Sequence, residues 1–462
     1  FSRSEAGRIC RLAVPVFFAQ LSQMLMGVVD TIMTGHYRTT DMAAVAVGAA
    51  IWVPVSLFGI GVMLALTPLI AQRLGAGDRQ SVPHLLRQGV VLALALSVPL
   101  IATLLLLAHN IAWFGLEADL ARISAGFLRA VSCGLPGFLL FIAVRSLPDG
   151  DARTRPSMCI AFCALLLNIP CNYLLIYGRC GLPELGGVGS GFATAIAHWF
   201  MGLSLIWYTR KAASYKDLQP LYAPLWRGLP GRPRLDFNLM ARIVRIGTPG
   251  ALALLFEVSC FAICPLLLAP LGTTVVAGHQ AAMNFTGLVF MIPLSLCITS
   301  TIRVGRCLGE GHPVAGQTAS WTALGAGFVM ACATCAGIIL LRHEIAALYT
   351  SDPPVRELAA HLLLYTAAFQ LADAVQIICL GSLRGYNDTL FISVASFGGY
   401  WCLGLPLGFV LARTDMLTPR MGAAGFWTAF VICLTLLALV LLWRLRRLHR
   451  LGPQAVRRLI EH

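Results

Sequence analysis

Apolar residues run through this chain in long unbroken blocks, without the strict alternation of strands, and polar residues gather between the blocks. Twelve blocks, near 12–33, 44–71, 88–110, 126–144, 157–178, 188–209, 246–270, 276–302, 318–341, 358–383, 390–412 and 422–443, each predict a membrane-crossing helix. About 20 apolar residues at ~1.5 Å per residue cross the ~30 Å of bilayer hydrocarbon. The first block is interrupted by Gln20, Gln23 and Asp30 and leads straight into further spans, which reads as a mature helix and not as a cleaved leader.

The blocks repeat. Residues 8–77 align with 242–311 without a gap at a constant offset of 234. Arg8-Ile-Cys-Arg-Leu-Ala-Val-Pro15 returns as Arg242-Ile-Val-Arg-Ile-Gly-Thr-Pro249, Thr39-Thr40 as Thr273-Thr274, and Leu74-Gly-Ala-Gly77 as Leu308-Gly-Glu-Gly311. Gly191-Phe-Ala-Thr-Ala195 faces Gly425-Phe-Trp-Thr-Ala429 at the same offset. Each half therefore holds six spans, and an even number per half makes the two copies parallel. The expected domains are 1–210 and 241–446, six spans each, joined by a cytoplasmic linker at 211–240 and followed by a basic cytoplasmic tail at 447–462.

Composition agrees with this reading. The chain is 58% hydrophobic and only 12% charged, with a mean hydropathy of +0.78, against roughly 25% charged in soluble domains. A net charge of +14 would suggest nucleic acid in a soluble protein, so the placement of the basic residues decides its meaning. Most of the 34 Lys and Arg lie in the alternate loops that share a side with both termini, among them Arg8, Arg11, Arg87, Arg155, Arg210, Lys211, Arg245 and Arg446. The positive-inside tendency then puts both termini in the cytoplasm, and nucleic acid is not an expected partner. Most of the 15 cysteines, such as Cys163, Cys264, Cys379 and Cys433, sit inside apolar spans as small hydrophobes. The CxxC of Cys332 and Cys335 lies in apolar sequence with no second ligand pair, which argues against a redox or metal role.

Three acids fall inside the blocks: Asp30 in the first span, Glu257 in the seventh and Asp373 in the tenth. A lone acid at the bilayer centre costs roughly 2.5–3.5 kcal/mol on insertion scales, so each needs a partner or a job. Glu257 follows Arg245 and Asp373 precedes Arg384 by similar distances, which places both roughly 17 Å from the cytoplasmic edge; Asp30, counted from Arg11, lies roughly 28 Å up. In the repeat Glu257 faces Gln23, and Asp30 faces Cys264, so the acids are not a duplicated pair. The sequence places no Lys or Arg mid-span to neutralise them. A packing hydrogen bond is one role for such an acid. A Na⁺ or proton site is the other, because paired carboxylates with nearby oxygens hold Na⁺, while desolvation and like charge favour proton uptake.

Other in-span polar residues are Gln20, Gln23, His198, His279, Gln280 and Asn284, which serve helix packing or line a cavity. Asn168 and Asn172 flank Pro170 and are placed to line a break in the fifth span.

At these residues the chain resembles the multidrug and toxic compound extrusion (MATE) family, in its bacterial NorM-like branch. The matching stretches are Val28-Val-Asp-Thr-Ile-Met-Thr-Gly35, Leu167-Asn-Ile-Pro-Cys-Asn-Tyr173, Pro183-Glu-Leu-Gly-Gly-Val-Gly189, Phe256-Glu-Val-Ser259, Ala277-Gly-His-Gln280 with Asn284, Ile302-Arg-Val-Gly305 and Ser382-Leu-Arg-Gly-Tyr386. The resemblance implies an all-α integral membrane fold: 12 transmembrane helices in two parallel six-helix lobes forming a V. It implies a monomeric secondary transporter, not an enzyme, in the bacterial inner membrane, exporting bulky, often cationic and aromatic compounds in exchange for Na⁺ or H⁺, with no cofactor beyond the coupling ion. By motif, Glu257 and Asp373 correspond to the second-lobe cation site, with Na⁺ as its metal ion where Na⁺ couples. Asp30, with Asn168 and Asn172, corresponds to a first-lobe protonation or drug site. Gln20, Gln23, Gln280, Asn284 and His198 are the cavity candidates.

Two stretches depart from the family pattern. Leu147-Pro-Asp-Gly-Asp-Ala-Arg-Thr-Arg-Pro156 carries Pro148 and Asp151 at a helix end, and Ser259-Cys260 follows Glu257. A flippase for lipid-linked sugars is the nearest alternative within transport, disfavoured by the acidic or neutral cavity candidates. A membrane transferase would need clustered polar residues at an interfacial loop, where Asp149 with Asp151 and Arg384 with Asp388 stand alone.

Overall fold

The computed structural model describes residues 3–218 and 235–451, and among these every regular element is helical. In chain order they are α1 (Arg3–Tyr37), α2 (Thr39–Met63), α3 (Leu66–Gly75), α4 (Val82–His109), α5 (Ala118–Ser132), α6 (Leu135–Gly150), α7 (Arg155–Ile176) and α8 (Gly187–Lys211). The second half continues with α9 (Phe237–Leu268), α10 (Thr273–Gly309), α11 (Pro313–Tyr349), α12 (Pro353–Gly385), α13 (Thr389–Ser396), a π-helical turn (Phe397–Gly404), α14 (Leu405–Arg413) and α15 (Ala423–His449). Among the described residues eleven helices or joined helices are long and apolar enough to cross a membrane, and the pair α5 and α6, bent by 40°, makes up to 12. Part of the predicted linker, 219–234, and most of the predicted tail, 452–462, lie outside the described residues.

The internal repeat is visible in the helix ends. The second span of each half starts at Thr39 or Thr273 and stops at Gly75 or Gly309, equivalent positions at the offset of 234. Each stop is followed by a glycine with positive φ, Gly77 at 73° and Gly311 at 76°. There Asp78 N–H donates to the Arg73 carbonyl and His312 N–H to the Cys307 carbonyl, both at 3.0 Å. This six-to-one bond needs a left-handed residue inside it, which glycine supplies without a Cβ clash. The duplicated Leu-Gly-X-Gly motif is thus a duplicated helix stop.

The halves differ in where their helices are distorted. The first half breaks its second span at Leu64 and Ala65 and bends its fourth at Cys133 and Gly134, whereas α10 and α12 run continuously. The bend frees the Cys133 carbonyl, which accepts from Trp199 Nε1 of α8 at 2.8 Å. Satisfying that group inside the span is obligatory where no water reaches. The fifth span shows the reverse: α7 runs unbroken through Pro170, while its counterpart in the second half carries the π turn. The break expected at Pro170 is therefore absent. Asn172 Nδ2 also donates to the Asn168 carbonyl at 3.1 Å.

Contacts divide the chain into two compact units, Phe18–Ala251 and Phe1–Phe17 with Leu252–His462. The boundary cuts through α1 and α9. Ile9 and Ala13 of α1 belong to the core that holds Leu296, Leu383 and Trp427. Ile243, Ile246 and Ala251 of α9 belong to the core that holds Val62, Leu66 and Phe141. The leading segments of the two repeats are exchanged. Glycine makes the second of these docks close: a Cβ on Gly61 would meet the Ala251 Cα at 2.5 Å, and one on Gly247 would strike the Val62 backbone. Small residues at such crossings are how helices approach in lipid, where hydrophobicity does not drive association. In the second unit α10 and α12 are joined by Ser300 and Ser382, 2.7 Å apart, and by Thr301 Oγ1 donating to the Gly381 carbonyl at 2.7 Å.

Candidate functional site

In the first unit the polar interior is built around Asp30. Asn168 and Asn172 sit one turn apart on α7, so both amides reach the same side of that helix. Asn172 Nδ2 donates to Asp30 Oδ1 at 2.7 Å and Asn168 Nδ2 to the same oxygen at 3.3 Å, while Thr194 of α8 donates to Oδ2 at 2.6 Å. Asp30 is buried, with 5% of its surface exposed. Three neutral donors hold one carboxylate. Such charge-assisted bonds are the short, strong kind. No cation shares the set, and Asn172 Oδ1 is buried without a partner among the described residues.

Asp30 also lines a cavity of about 370 Å³ with Gln23, Trp52, Phe138, Thr194 and His198. The volume is within the range of small-molecule pockets, roughly 300–1,000 Å³, and the wall is of the usual kind, apolar and aromatic with few polar groups. The His198 ring is stacked against Phe138, with centroids 4.4 Å apart, and lies 6.0 Å from Trp52 at an interplanar angle of 17°. Its Nδ1 and the Gln23 Nε2 are buried without partners among the described residues. Of the first-half candidates, Asp30, Asn168, Asn172, Gln23 and His198 thus come together. Thr194 was not singled out from sequence; its place in the duplicated Gly191-Phe-Ala-Thr-Ala195 was the available signal.

Gln20 has another role. Its Oε1 accepts from Arg145 Nη1 at 3.2 Å, and Arg145 Nε donates to Asp149 Oδ2 at 2.8 Å, with both ionic side chains less than a tenth exposed. This corrects one sequence reading. Asp149 was assigned to a loop, but α6 continues through Pro148 to Gly150 and buries it together with Arg145.

In the second unit Glu257 on α9 and Asp373 on α12 lie within electrostatic range of each other. Asp373 is 1% exposed and Glu257 half-buried. Two groups join them that the sequence reading did not assign to the site. Tyr400, from the π turn, is 1% exposed and brings its hydroxyl beside Glu257 without completing a hydrogen bond. Arg384 acts electrostatically on Glu257. It was read as an edge residue, but it stands in the last turn of α12, and helical side chains lean toward the helix N-terminus, which here is the direction of Asp373. Asp373 Oδ2, the Tyr400 hydroxyl and one Arg384 nitrogen are all buried without hydrogen-bond partners among the described residues. Buried polar groups left unsatisfied in such number call for a physical reason, such as strain, a water or an ion.

Gln280 and Asn284 are exposed on α10, with Gln280 Nε2 donating to Asn284 Oδ1 at 3.4 Å. His279 is buried, with its ring 5.8 Å from Trp427. Among the described residues no three or more His, Cys, Asp or Glu side chains converge as a metal-ion group.

A model of the family described as MatE matches residues 15–174 and 249–410. Both stretches begin at the duplicated proline, Pro15 or Pro249. The chain is 46% identical over 447 residues, 96% of either chain, to the multidrug resistance protein MdtK of Yersinia pseudotuberculosis, and equally so to that of Yersinia pestis. Its fold is similar to that of the eukaryotic MATE transporter AtDTX14, with a TM-score of 0.87 and 18% identity, covering 99% of this chain and 98% of that one. It is likewise similar to an outward-facing multidrug resistance MATE family transporter of the MOP superfamily, with a TM-score of 0.85 and 19% identity over 98% and 97%.

Proposed function

This chain belongs to the MatE family, and from that premise we propose that it is a cation-coupled antiporter of the bacterial inner membrane, exporting bulky, cationic aromatic compounds by alternating access. The MdtK relatives, named as multidrug resistance proteins, support export of many compounds over chemistry on one. The substrate class rests on the first-unit cavity, where aromatic walls and a single buried acid suit a flat cation.

The observation that carries the coupling is Asp373. Its Oδ2 is buried without a partner and a second carboxylate, Glu257, stands in electrostatic range. A bare carboxylate in a span is expensive, and the arrangement is relieved by binding Na⁺ between the acids or by protonating one of them. Either event removes net negative charge.

At Asp30 loading takes a different form. The ionised carboxylate accepts from three donors; a protonated one carries a donor of its own, for which the partnerless Asn172 Oδ1 is the nearby acceptor once the amide turns. Proton uptake there would exchange one bonded arrangement for another and withdraw the charge that holds a cationic substrate. By linkage, substrate must weaken cation or proton binding by the factor by which these weaken substrate binding.

Vesicles loaded with a fluorescent cation and driven first by a Na⁺ gradient, then by a pH gradient, test this. Glu257→Gln and Asp373→Asn should each abolish gradient-driven efflux with membrane insertion intact. Continued gradient-driven export by the double variant would overturn the coupling assignment.

A further inference from the structure

We propose that Tyr400 is a third oxygen ligand of the coupling cation, beside Glu257 and Asp373, and that the π turn of Phe397–Gly404 exists to place it. The inference rests on the reading of Glu257 and Asp373 as the cation site.

The repeat supplies the internal control. At the offset of 234 the π turn corresponds to 163–170 of α7, which is regular α-helix, and the position of Tyr400 corresponds to Leu166. The distortion and the phenol occur together, in the half that carries both acids. A π turn fits an extra residue into the helical turn and weakens the local ladder, so it persists only where something holds it, and such turns gather at functional sites.

Here the hold is visible. Trp401 Nε1 donates to Ser259 Oγ at 3.1 Å, Cys260 Sγ donates to the Tyr400 carbonyl at 3.7 Å, and Cys433 Sγ of α15 donates to the Gly399 carbonyl at 2.9 Å. The Phe261 ring adds an edge contact to Tyr400, with centroids 6.0 Å apart. Ser259, Cys260 and Phe261 directly follow Val258 and Glu257 on α9, so the helical turn that presents the first carboxylate also fixes the π turn. The Ser259-Cys260 pair, unusual at this position, gains a reason.

The hydroxyl this placement delivers is buried and acts on the Glu257 carboxylate, but stops short of full hydrogen-bond geometry. A neutral phenol oxygen is the kind of ligand a hard monovalent cation takes to complete a set begun by two carboxylates. A proton needs no third ligand. The proposal therefore commits to Na⁺ as a cation that this site holds.

Equilibrium binding of radiolabelled Na⁺ to the purified full chain, with Li⁺ and K⁺ as competitors, tests it. Loss of one oxygen should raise the Na⁺ half-saturation in Tyr400→Phe about tenfold, the size of one charge-assisted contact. The preference among Na⁺, Li⁺ and K⁺ should change as well, while the thermal midpoint without Na⁺ is retained.

Affinity in Tyr400→Phe within twofold of the parent, with binding lost in Glu257→Gln, would overturn the tyrosine assignment and leave the carboxylate site standing. Na⁺ and Li⁺ affinities falling by one common factor together with a lowered midpoint would overturn it too, by showing a purely structural role. Absence of Na⁺ binding in the parent would overturn the Na⁺ assignment and leave proton coupling at the two acids standing, whereas binding indifferent to Glu257→Gln and Asp373→Asn would overturn both readings.

Discussion

Arg303 closes a two-pronged ion pair on Glu5, with Nε 2.7 Å from one carboxylate oxygen and Nη2 3.0 Å from the other. The two residues are 298 positions apart, yet both belong to the unit that also contains 252–462. The pair ties the leading segment of α1 to α10.

Glu5 and Arg303 side chains are only 10% and 12% exposed, so removing one partner leaves a largely buried charge behind. Glu5→Gln should destabilise the folded protein by ~3 kcal/mol, and adding Arg303→Met should recover most of that loss. Thermal unfolding of the purified single and double variants measures both. A midpoint untouched by Glu5→Gln would mean the segment is held by Ile9 and Ala13 alone.

Asn172→Leu deletes the 2.7 Å donor to Asp30 and leaves the carboxylate with Asn168 and Thr194. A hydrogen bond to a charged group contributes ~1.5–3 kcal/mol, so stability should drop by about that much. Thermal unfolding of the purified variant measures the loss; an unchanged midpoint would remove Asn172 from the set that holds Asp30.

The ion pair of Arg145 and Asp149 invites a different comparison, because both charges are buried and one Arg145 nitrogen has no partner among the described residues. Arg145→Met alone should cost ~3–5 kcal/mol, whereas Arg145→Met with Asp149→Leu should be close to neutral. Equal losses in the single and double variants would show that Gln20, and not Asp149, is the partner that matters.

Outside the membrane, Asp217 is held below the usual carboxylate range by Arg79, whose Nε is 2.6 Å away. Asp236 is held low by the Leu239 backbone N–H and then by His84. A carboxyl depressed on folding contributes stability above its unfolded value of ~3.9 and loses it as the pH falls through the folded value. The midpoint of unfolding should therefore be insensitive to these two groups from neutral pH down to about 4 and fall below that. Asp217→Asn with Asp236→Asn should flatten the acid-side fall; the Asp217 part is small, since its side chain is 53% exposed and screened by water.

Much of this was legible in the sequence because it depends on local pattern. Block length gave the spans, and the offset of 234 foretold two helix stops made by equivalent glycines. Asp30, Asn168 and Asn172 were grouped in advance through the family resemblance, since the residues alone placed the two asparagines only beside Pro170. What pattern could not convey was the reach of side chains across helices. Arg384 looks like an edge residue until its guanidinium is followed back along α12. Gln20 looks like a cavity residue until α6 is seen to continue through Pro148 and bury Arg145. The π turn had no signal either, since Phe397-Gly-Gly-Tyr400 is as apolar as an ordinary span and what holds it comes from Ser259, Cys260 and Cys433.

The exchanged leading segments of α1 and α9 have a genealogical consequence. A half-length protein of this design could not complete its own core; two copies would have to trade their first turns, as in a domain-swapped homodimer. Fusing the two genes locks that trade into one polypeptide, and frees each copy to diverge at its acids without losing its partner.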